Sequence, residues 1–323
     1  MPQFLALTSV GLSEALEREL HDIGLTKTRL TRGGVYFESN WQGCYRANLC
    51  LRLATRVVLP VLEFPAYQPD DIYHNLAKHD FTKYVKNHQT IAVDARVRDS
   101  KLTDQRIVAL KTKDAIVDQF REKTGKRPDV DKENADLWVL VRVVKNQVFV
   151  SVDTTGGNLF KRGYREMTVD APLKEHLAAG LLRLTEWDRK SPVVDLMCGS
   201  GTILIEAALM ALNIAPGTMR KKFAFQSFDT FSSDNFQEVL NEVLSEEKEQ
   251  MDCQLFGFDI DGKAIKAARA NINAAGFQEF IKVERCSVDN VTCPLPDQKG
   301  LVLANPPYGE RLGSVEVLRD VYK

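Results

Sequence analysis

Several features that would mark a secreted, metal-dependent or membrane-embedded protein are missing from this chain. Its six cysteines, Cys44, Cys50, Cys198, Cys253, Cys286 and Cys293, form no Cys-x-x-Cys pair. That argues against a disulfide framework and a thiolate metal site, and fits reduced thiols. The five histidines, His21, His74, His79, His88 and His176, lack metal-ligand spacing, so no metal is expected. No apolar run reaches the about 18 residues of a membrane span. Met1-Pro2-Gln3-Phe4 is not a charged segment leading into an apolar one, so the sequence predicts no signal peptide and a cytoplasmic protein. Internal repeats and low-complexity tracts are also absent.

What is present suits a large α/β protein. The 323 residues are 44% apolar and 27% charged, enough for two or three domains with real cores. The net charge of -1 conceals a division: residues 1–165 carry 26 Lys and Arg against 20 Asp and Glu, and the remainder 17 against 24. A basic first half ahead of an acidic second half suits phosphate-backbone binding by the first, although +6 over that length is also compatible with an ordinary surface.

Along the first half, Phe4 to Thr8 alternates like a strand. Ser13 is placed to cap a helix running through Ile23, with Leu16, Leu20 and Ile23 on one face, and Gly33-Gly34 turns into the strand Val35 to Glu38. Trp41 to Leu51 reads as helix and Arg56 to Phe64 as an extended β-branched run. This β-α-β-β-α-β-like order suits a small ferredoxin-like module, residues 1–43, whose boundary falls anywhere from 43 to 69. A helix around Ile72 to Leu76, a strand from Thr90 to Val97, a helix from about Asp104 to Lys123 and two strands, Leu137 to Val143 and Gln147 to Val152, follow. In the long helix, Ile107, Leu110, Val117 and Phe120 form an apolar stripe, with Arg106, Lys111, Lys113 and Arg121 facing elsewhere. Asp153 to Gly157 has the composition of a hinge.

Chemistry concentrates in three later segments. Pro192-Val193-Val194-Asp195 reads as a buried strand, followed by Leu196-Met197-Cys198-Gly199-Ser200-Gly201-Thr202 and a helix. The two glycines let backbone approach a ligand, and Asp195 suits a cationic or hydroxyl group. Leu255 to Asp261 is another strand ending in carboxylates, with Asp259 placed to take both hydroxyls of a ribose. A dehydrogenase would carry its ribose-binding acid about 20 residues past the glycines; here an insertion intervenes. The run Gly300 to Ala304 then leads into Asn305-Pro306-Pro307-Tyr308. Its prolines fix φ and give up their N–H groups, so the turn's carbonyls and the Asn305 amide oxygen remain as acceptors for an exocyclic amine, with the Tyr308 ring beside them for stacking on a base.

Together these segments resemble the class I S-adenosylmethionine-dependent methyltransferases, in the branch that methylates exocyclic amines. Upstream, Asn158 to Arg165 and Ala171 to Ala178 are similar to the junction of THUMP-containing RNA guanine-N2 methyltransferases. Over nearly the whole chain the likeness is to the RlmL type, which acts on 23S ribosomal RNA and in which a second methyltransferase unit can follow in the same polypeptide. The resemblance implies a THUMP RNA-binding domain over 44–155 and a Rossmann-like methyltransferase domain over 156–323, lacking its last strands because only 15 residues follow Tyr308. It implies S-adenosylmethionine as cofactor, held by Asp195, Met197, Cys198, Gly199, Ser200, Gly201, Thr202, Asp259, Ile260, Ser287, Asp289 and Asn305. Catalysis falls to Asn305, Pro306 and Tyr308, acting on ribosomal RNA before the subunit is fully assembled. The family's usual aspartate after the strand Phe280 to Cys286 is Ser287 here; Asp289 is either a second adenine contact or a helix cap.

Phosphate contacts are assigned to Arg98, Lys101, Arg106, Lys111 and Lys113, and to a basic lip of Lys161, Arg162 and Arg165. The insertion Ala211 to Asp252, with Arg220-Lys221-Lys222 and Phe223, Phe225, Phe228 and Phe231, reads either as an RNA contact or as core. A short helix is expected near Val315 to Val321. Transfer RNA guanine-N2 methylation, adenine-N6 methylation and a catalytically incomplete RNA-binding fragment are the competing functions.

Overall fold

The structure is a computed structural model and describes residues 1–169 and 172–306. The chain divides into two compact units, the first made of residues 1–162 and 215–246 and the second of residues 163–214 and the chain from Glu247 on. Tyr308 and the helix expected near Val315 lie outside the described residues.

The first unit opens with β1 (Gln3–Leu7), α1 (Ser13–Asp22), β2 (Thr28–Thr31), β3 (Gly34–Glu38), α2 (Trp41–Cys50) and β4 (Arg56–Pro65). It continues with α3 (Pro69–Leu76), β5 (Thr90–Arg98), α4 (Gln105–Thr124), β6 (Asp129–Val130), β7 (Leu137–Val144) and β8 (Gln147–Asp153). All eight strands join one sheet in the order β2-β3-β1-β4-β8-β7-β5-β6. The ferredoxin-like order of the first four strands is as the sequence implies. The continuity was not legible: β4 pairs antiparallel with β8, welding both modules into one sheet. A register shift between Pro60 and Leu62 lets β4 accommodate a proline inside a paired strand. Buried and more open residues alternate along β7, as for a sheet packed on one face.

Several local readings change. Ser13 is the first residue of α1 and not its cap; Leu12 precedes the helix without a side-chain cap bond, and Ile23 lies just past its end. In α4 the face turned inward is Val108, Thr112, Ala115, Ile116, Val117 and Phe120, while Ile107 is 43% and Leu110 53% exposed. Val117 and Phe120 of the expected stripe pack inward, whereas Ile107 and Leu110 do not; in the first half of the helix Val108 and Thr112 take the inward face instead. Asp104 caps this helix through the Arg106 amide, and Gly125 ends it in the left-handed region at φ +69°. The hinge composition of Asp153 to Gly157 also misleads. Asp153, Thr154 and Thr155 are fully buried; Thr154 donates to the Val57 carbonyl, Thr155 donates to Asn48 Oδ1, and Arg56 pairs with Asp153. Three buried polar side chains tied to strand β4 and helix α2 make a pinned segment.

The insertion is core, but not of the unit in which the sequence places it. Residues 215–246, including α7 (Ser233–Ser245), belong to the first unit. The Tyr45 ring of α2 sits 4.6 Å from Phe225, 5.9 Å from Phe231 and 5.7 Å from Phe236. Arg46 bonds to Glu242 and Glu246 on α7. Close approach demands a glycine at 217, where a Cβ would come within 2.5 Å of the Leu49 Cα.

The second unit holds α5 (Glu175–Leu184), β9 (Val193–Asp195), α6 (Thr202–Ala211), β10 (Leu255–Asp259), α8 (Gly262–Ala274), β11 (Ile281–Arg285) and β12 (Leu301–Leu303). Its strands are all parallel, in the order β11-β10-β9-β12. The apolar runs of β9, β10 and β12 and the fully buried α6 suit a parallel sheet with helices packed against it. Among the described residues no helix is long and apolar enough to cross a membrane.

Tyr45 is 1% exposed at the centre of the aromatic cluster. Tyr45→Ala is expected to lower the unfolding free energy by about 3 to 5 kcal/mol, the usual cost of deleting a large buried ring. A denaturant midpoint equal to that of the parent chain would show that the cluster contributes little.

Candidate active site

Four strand ends line one edge of the second unit. In a parallel sheet the carboxyl ends share a side, and ligands bind in the crevice outside them where the strand order reverses. Here β9 lies between β10 and β12, so the chain leaves its first strand toward one neighbour and returns on the other side. The edge is about 14 Å long at the usual strand spacing. Reading along it, β11 is followed by Ser287 and Asp289, β10 ends at Asp259 with Ile260 beyond, β9 ends at Asp195 with the glycine loop, and β12 leads to Asn305 and Pro306.

Register fixes the last of these. Leu303 pairs with Asp195, and the Leu196 amide donates to the Leu303 carbonyl at 3.1 Å. Asn305 comes two residues later, half-buried like Pro306. Asn305 and Pro306 and the glycine loop thus follow neighbouring strands at the same edge.

The glycine loop is held by its own backbone. Cys198 N–H donates to the Phe258 carbonyl at 2.9 Å, Gly201 N–H to the Cys198 carbonyl at 2.8 Å, and Gly199 N–H to Asp259 Oδ2 at 2.9 Å. Gly199 and Gly201 take φ of +54° and +81°, where other residues are strained. A Cβ on Gly199 would meet nothing within 4 Å, so the loop's outer side is open and a side chain there would fill the space a ligand needs.

Two carboxylates dominate the charge. Asp195 is 1% exposed and accepts the Met197 amide at 3.2 Å. Burial pushes its pKa up to about 7, the nearby Asp259 pushes the same way, and the Met197 N–H opposes both. A buried acid next to another acid favours a cationic ligand group. Asp259 accepts Gly199 N–H on one oxygen and Asp261 N–H at 2.9 Å on the other, which leaves a lone pair on each oxygen for a pair of hydroxyls. Ile260, 65% exposed, offers an apolar surface beside it. Burial also pushes the Cys198 thiol up, with Asp195 and Asp259 adding to it, so the thiol stays neutral and is not a nucleophile. These residues fit a ligand that combines a cation, a diol and a flat ring.

Ser287 donates to Asp289 Oδ2 at 3.2 Å, leaving its own lone pairs free to accept. Asp289 lies inside the short helical turn Val288–Asn290, which Ser287 precedes, so its reading as a helix cap is not borne out.

The basic residues fare unequally. Arg98, Arg106, Lys111 and Lys113 pair with Asp99, Asp104, Asp70 and Asp114, Lys101 lies over the Tyr67 ring, and Lys161 is exposed. Two lip assignments are corrected. Arg162 is 1% exposed, with its guanidinium on the Leu159 and Arg52 carbonyls, out of reach of a phosphate. Arg165 is engaged inside the second unit, by Glu175 at 3.0 Å, Ser200 Oγ at 2.9 Å, Thr202 Oγ1 at 3.0 Å and the Leu173 carbonyl at 3.1 Å. The sequence reading missed Asn271, a fully buried polar residue on the inward face of α8. Its signal was an amide among Ala267, Ala268 and Ile272, where the helical period demands an apolar side chain.

Comparison with known proteins accords with this geometry. The chain matches the RlmL ferredoxin-like domain over residues 3–58, the THUMP domain over 66–153 and the RMKL-like methyltransferase domain over 162–323. It is 38% identical over 330 residues to the ribosomal RNA large subunit methyltransferase K/L of Syntrophotalea carbinolica and 36% identical over 325 residues to that of Vibrio parahaemolyticus. These matches cover 99% and 100% of this chain but 46% of each relative, so the chain spans about half the length of the curated relatives it matches. Among solved structures, the methyltransferase SMU.472 in complex with SAH superposes with a TM-score of 0.89 at 30% identity, over 99% of this chain and 84% of that one. A Listeria monocytogenes protein described as a predicted N6-adenine-specific DNA methylase gives 0.86 at 32%, over 99% and 83%. With the strand order, the glycine loop and the paired acids in place, the chain belongs to the RMKL-like methyltransferase family, whose S-adenosylmethionine-binding Rossmann-like domain here follows an RlmL-type ferredoxin-like module and a THUMP domain.

Proposed function

We propose that the chain, a cytoplasmic enzyme, methylates the exocyclic N2 amine of an unpaired guanine in 23S ribosomal RNA, acting before the subunit is fully assembled. Because the K/L relatives are about twice as long, a second methyltransferase unit in the same polypeptide is part of the reading. The observation that carries the proposal is the order of strand ends along the sheet edge. Ser287 and Asp289 stand where an adenine amino group needs acceptors, and Ile260 offers its exposed side chain to the ring. Asp259 has two lone pairs for the ribose hydroxyls. The 197–202 loop receives the methionine part, with Asp195 opposite its positive charge. Asn305 and Pro306 come next, beyond the point where the methyl group would lie.

When bound, the sulfonium supplies an activated methyl group, so the chain's task is alignment and charge. The amine of guanine is conjugated with the ring and is a poor nucleophile. Accepting one N–H on the Asn305 side-chain oxygen and the other on the Pro306 carbonyl draws the amine toward a tetrahedral shape, localises its lone pair on nitrogen and stabilises the positive charge that develops there. Tyr308 stacks on the base. A turn built from acceptors fits the guanine edge, where the amine adjoins the N1–H donor. On adenine the amine lies between two acceptors. A paired base cannot enter such a crevice, so the nucleotide is flipped or unpaired, with Arg98, Lys101, Arg106, Lys111, Lys113 and Lys161 holding the phosphates. The Listeria neighbour's description makes adenine-N6 methylation the second reading.

Asn305→Ala should cut methylation by about 100-fold or more while SAH affinity stays within several-fold. Near-normal turnover would remove the role given to that amide. Mass spectrometry of nucleosides from the methylated RNA should show N2-methylguanosine, and N6-methyladenosine would establish the second reading.

The raised pKa of Asp195 yields a pH signature. In the ligand-free fold its carboxyl keeps a proton that the unfolded chain has lost. Its contribution to stability is therefore full below the ordinary carboxylate range and declines as pH rises toward about 7. A cation arriving beside it favours ionisation, so binding of S-adenosylmethionine at pH 6 should release protons and at pH 8 should not. Calorimetry in buffers of different ionisation enthalpy reads this directly; proton uptake at pH 6, or release that survives Asp195→Asn, contradicts the assignment.

A further inference from the structure

We propose that Asn271 and Arg165 are positioning residues that set the shape of the cofactor loop from behind, a role that rests on reading the 197–202 loop as the cofactor cradle. Asn271 is 0% exposed, so it touches no ligand itself. Its side chain uses all four hydrogen-bonding valences of an amide. Oδ1 accepts the Glu166 and Met167 N–H groups, each at 2.9 Å, and Nδ2 donates to the Met167 carbonyl at 2.9 Å and the Ser200 carbonyl at 3.1 Å. Those partners fix the amide's orientation: reversed, donors would face donors and acceptors would face acceptors. One side chain thereby joins helix α8, the segment at 166–167 and the glycine loop.

Arg165 reaches the same loop from the adjoining residue of that segment. Its Nη1 donates to Ser200 Oγ and its Nη2 to Thr202 Oγ1, while Nε is held by the 7%-exposed Glu175 side chain. Ser200 is thus gripped twice, by its carbonyl from Asn271 and by its hydroxyl from Arg165. It sits between the two glycines whose positive φ values give the loop its shape, and the Gly199 amide carries the bond to Asp259. A loop of two glycines is conformationally loose by itself, and fixing it before the ligand arrives removes an ordering cost from binding. Loss of these bonds should therefore appear in affinity for the nucleoside ligand rather than in the chemical step.

Asn271→Asp keeps the size and the two acceptors but deletes both donors, and Arg165→Lys keeps a cation beside Glu175 but cannot reach Ser200, Thr202 and Leu173 together. For each variant of the full chain, SAH titration calorimetry is expected to show a Kd raised about tenfold or more, the loss typical of one or two buried hydrogen bonds. KM for S-adenosylmethionine should rise in parallel, with kcat at saturation within about threefold and RNA affinity within about twofold of the parent. If Asn271→Asp does not fold, Arg165→Lys carries the test. A folded variant with an SAH Kd within about twofold of the parent overturns the proposal. So does a variant in which kcat and RNA affinity fall along with SAH affinity, the pattern of general structural damage. Failure of the parent chain itself to bind SAH would instead count against the cofactor reading above.

Discussion

The second unit depends on a three-residue strand. Val193–Asp195 is paired on both sides, with β10 in the register Gly257 to Asp195 and with β12 in the register Leu303 to Asp195. Its last residue therefore decides what meets at the sheet edge. Beyond it, Leu196 bonds to the β12 backbone and Cys198 to the β10 backbone, so the loop between them cannot shift without breaking strand-like hydrogen bonds on both sides. A slip of one residue in either pairing would turn every side chain of that strand to the opposite face. Asp195 would leave its buried position, and Asn305 would be offset from the glycine loop.

This arrangement buries an acid in surroundings that disfavour its charged form. An isolated carboxylate in an apolar site takes up a proton rather than remain charged, which is the direction in which burial moves Asp195. The cost is tolerable because the group has one backbone donor and because a cationic ligand can restore the ionised form. Gly257 shows how tightly this region is built: a Cβ there would come 2.6 Å from Leu204 and 3.1 Å from Cys198. Strand β10, helix α6 and the loop meet at that position with no room for a methyl group, so the cleft's inner wall is packed to the same tolerance as a core.

The elements whose signal is local were legible in the sequence. Strands ending in Asp195 and Asp259 and the glycine pair are each marked by residues whose backbone or side-chain chemistry acts within a few positions. What could not be read depends on partners distant in the chain. Phe225 and Phe231 look the same whether they pack locally or against Tyr45, some 180 residues earlier in numbering, and no periodicity separates the two. The weld between β4 and β8 is likewise a non-local pairing. Arg162 and Arg165 show the opposite failure. A basic loop between domains reads as a phosphate contact, yet both guanidinium groups are consumed by carbonyls, hydroxyls and a carboxylate that only the fold brings near. Asn271 was missed for the same reason: a side chain that saturates its valences inside the protein carries no sequence signature beyond a polar residue at an apolar position.

Paired charges on the first unit also govern how it would hold RNA. Arg98, Arg106, Lys111 and Lys113 each have a carboxylate beside them, in surface pairs that water and salt screen and that separate easily. A phosphate entering such a pair gains a cation but also meets the aspartate it displaces. The effective attraction therefore follows the excess of positive charge over the patch rather than the number of basic side chains, and salt dependence should be shallower than that number implies. The remaining binding energy has to come from shape and from contacts that do not carry charge. On α4 the side chains available for that are Ile107 and Leu110, which the helix leaves exposed next to Arg106 and Lys111. That the first half of α4 packs through Val108 and Thr112 thus has a consequence beyond the core: it puts two aliphatic groups on the surface, where they widen the apolar part of a face otherwise built from paired charges.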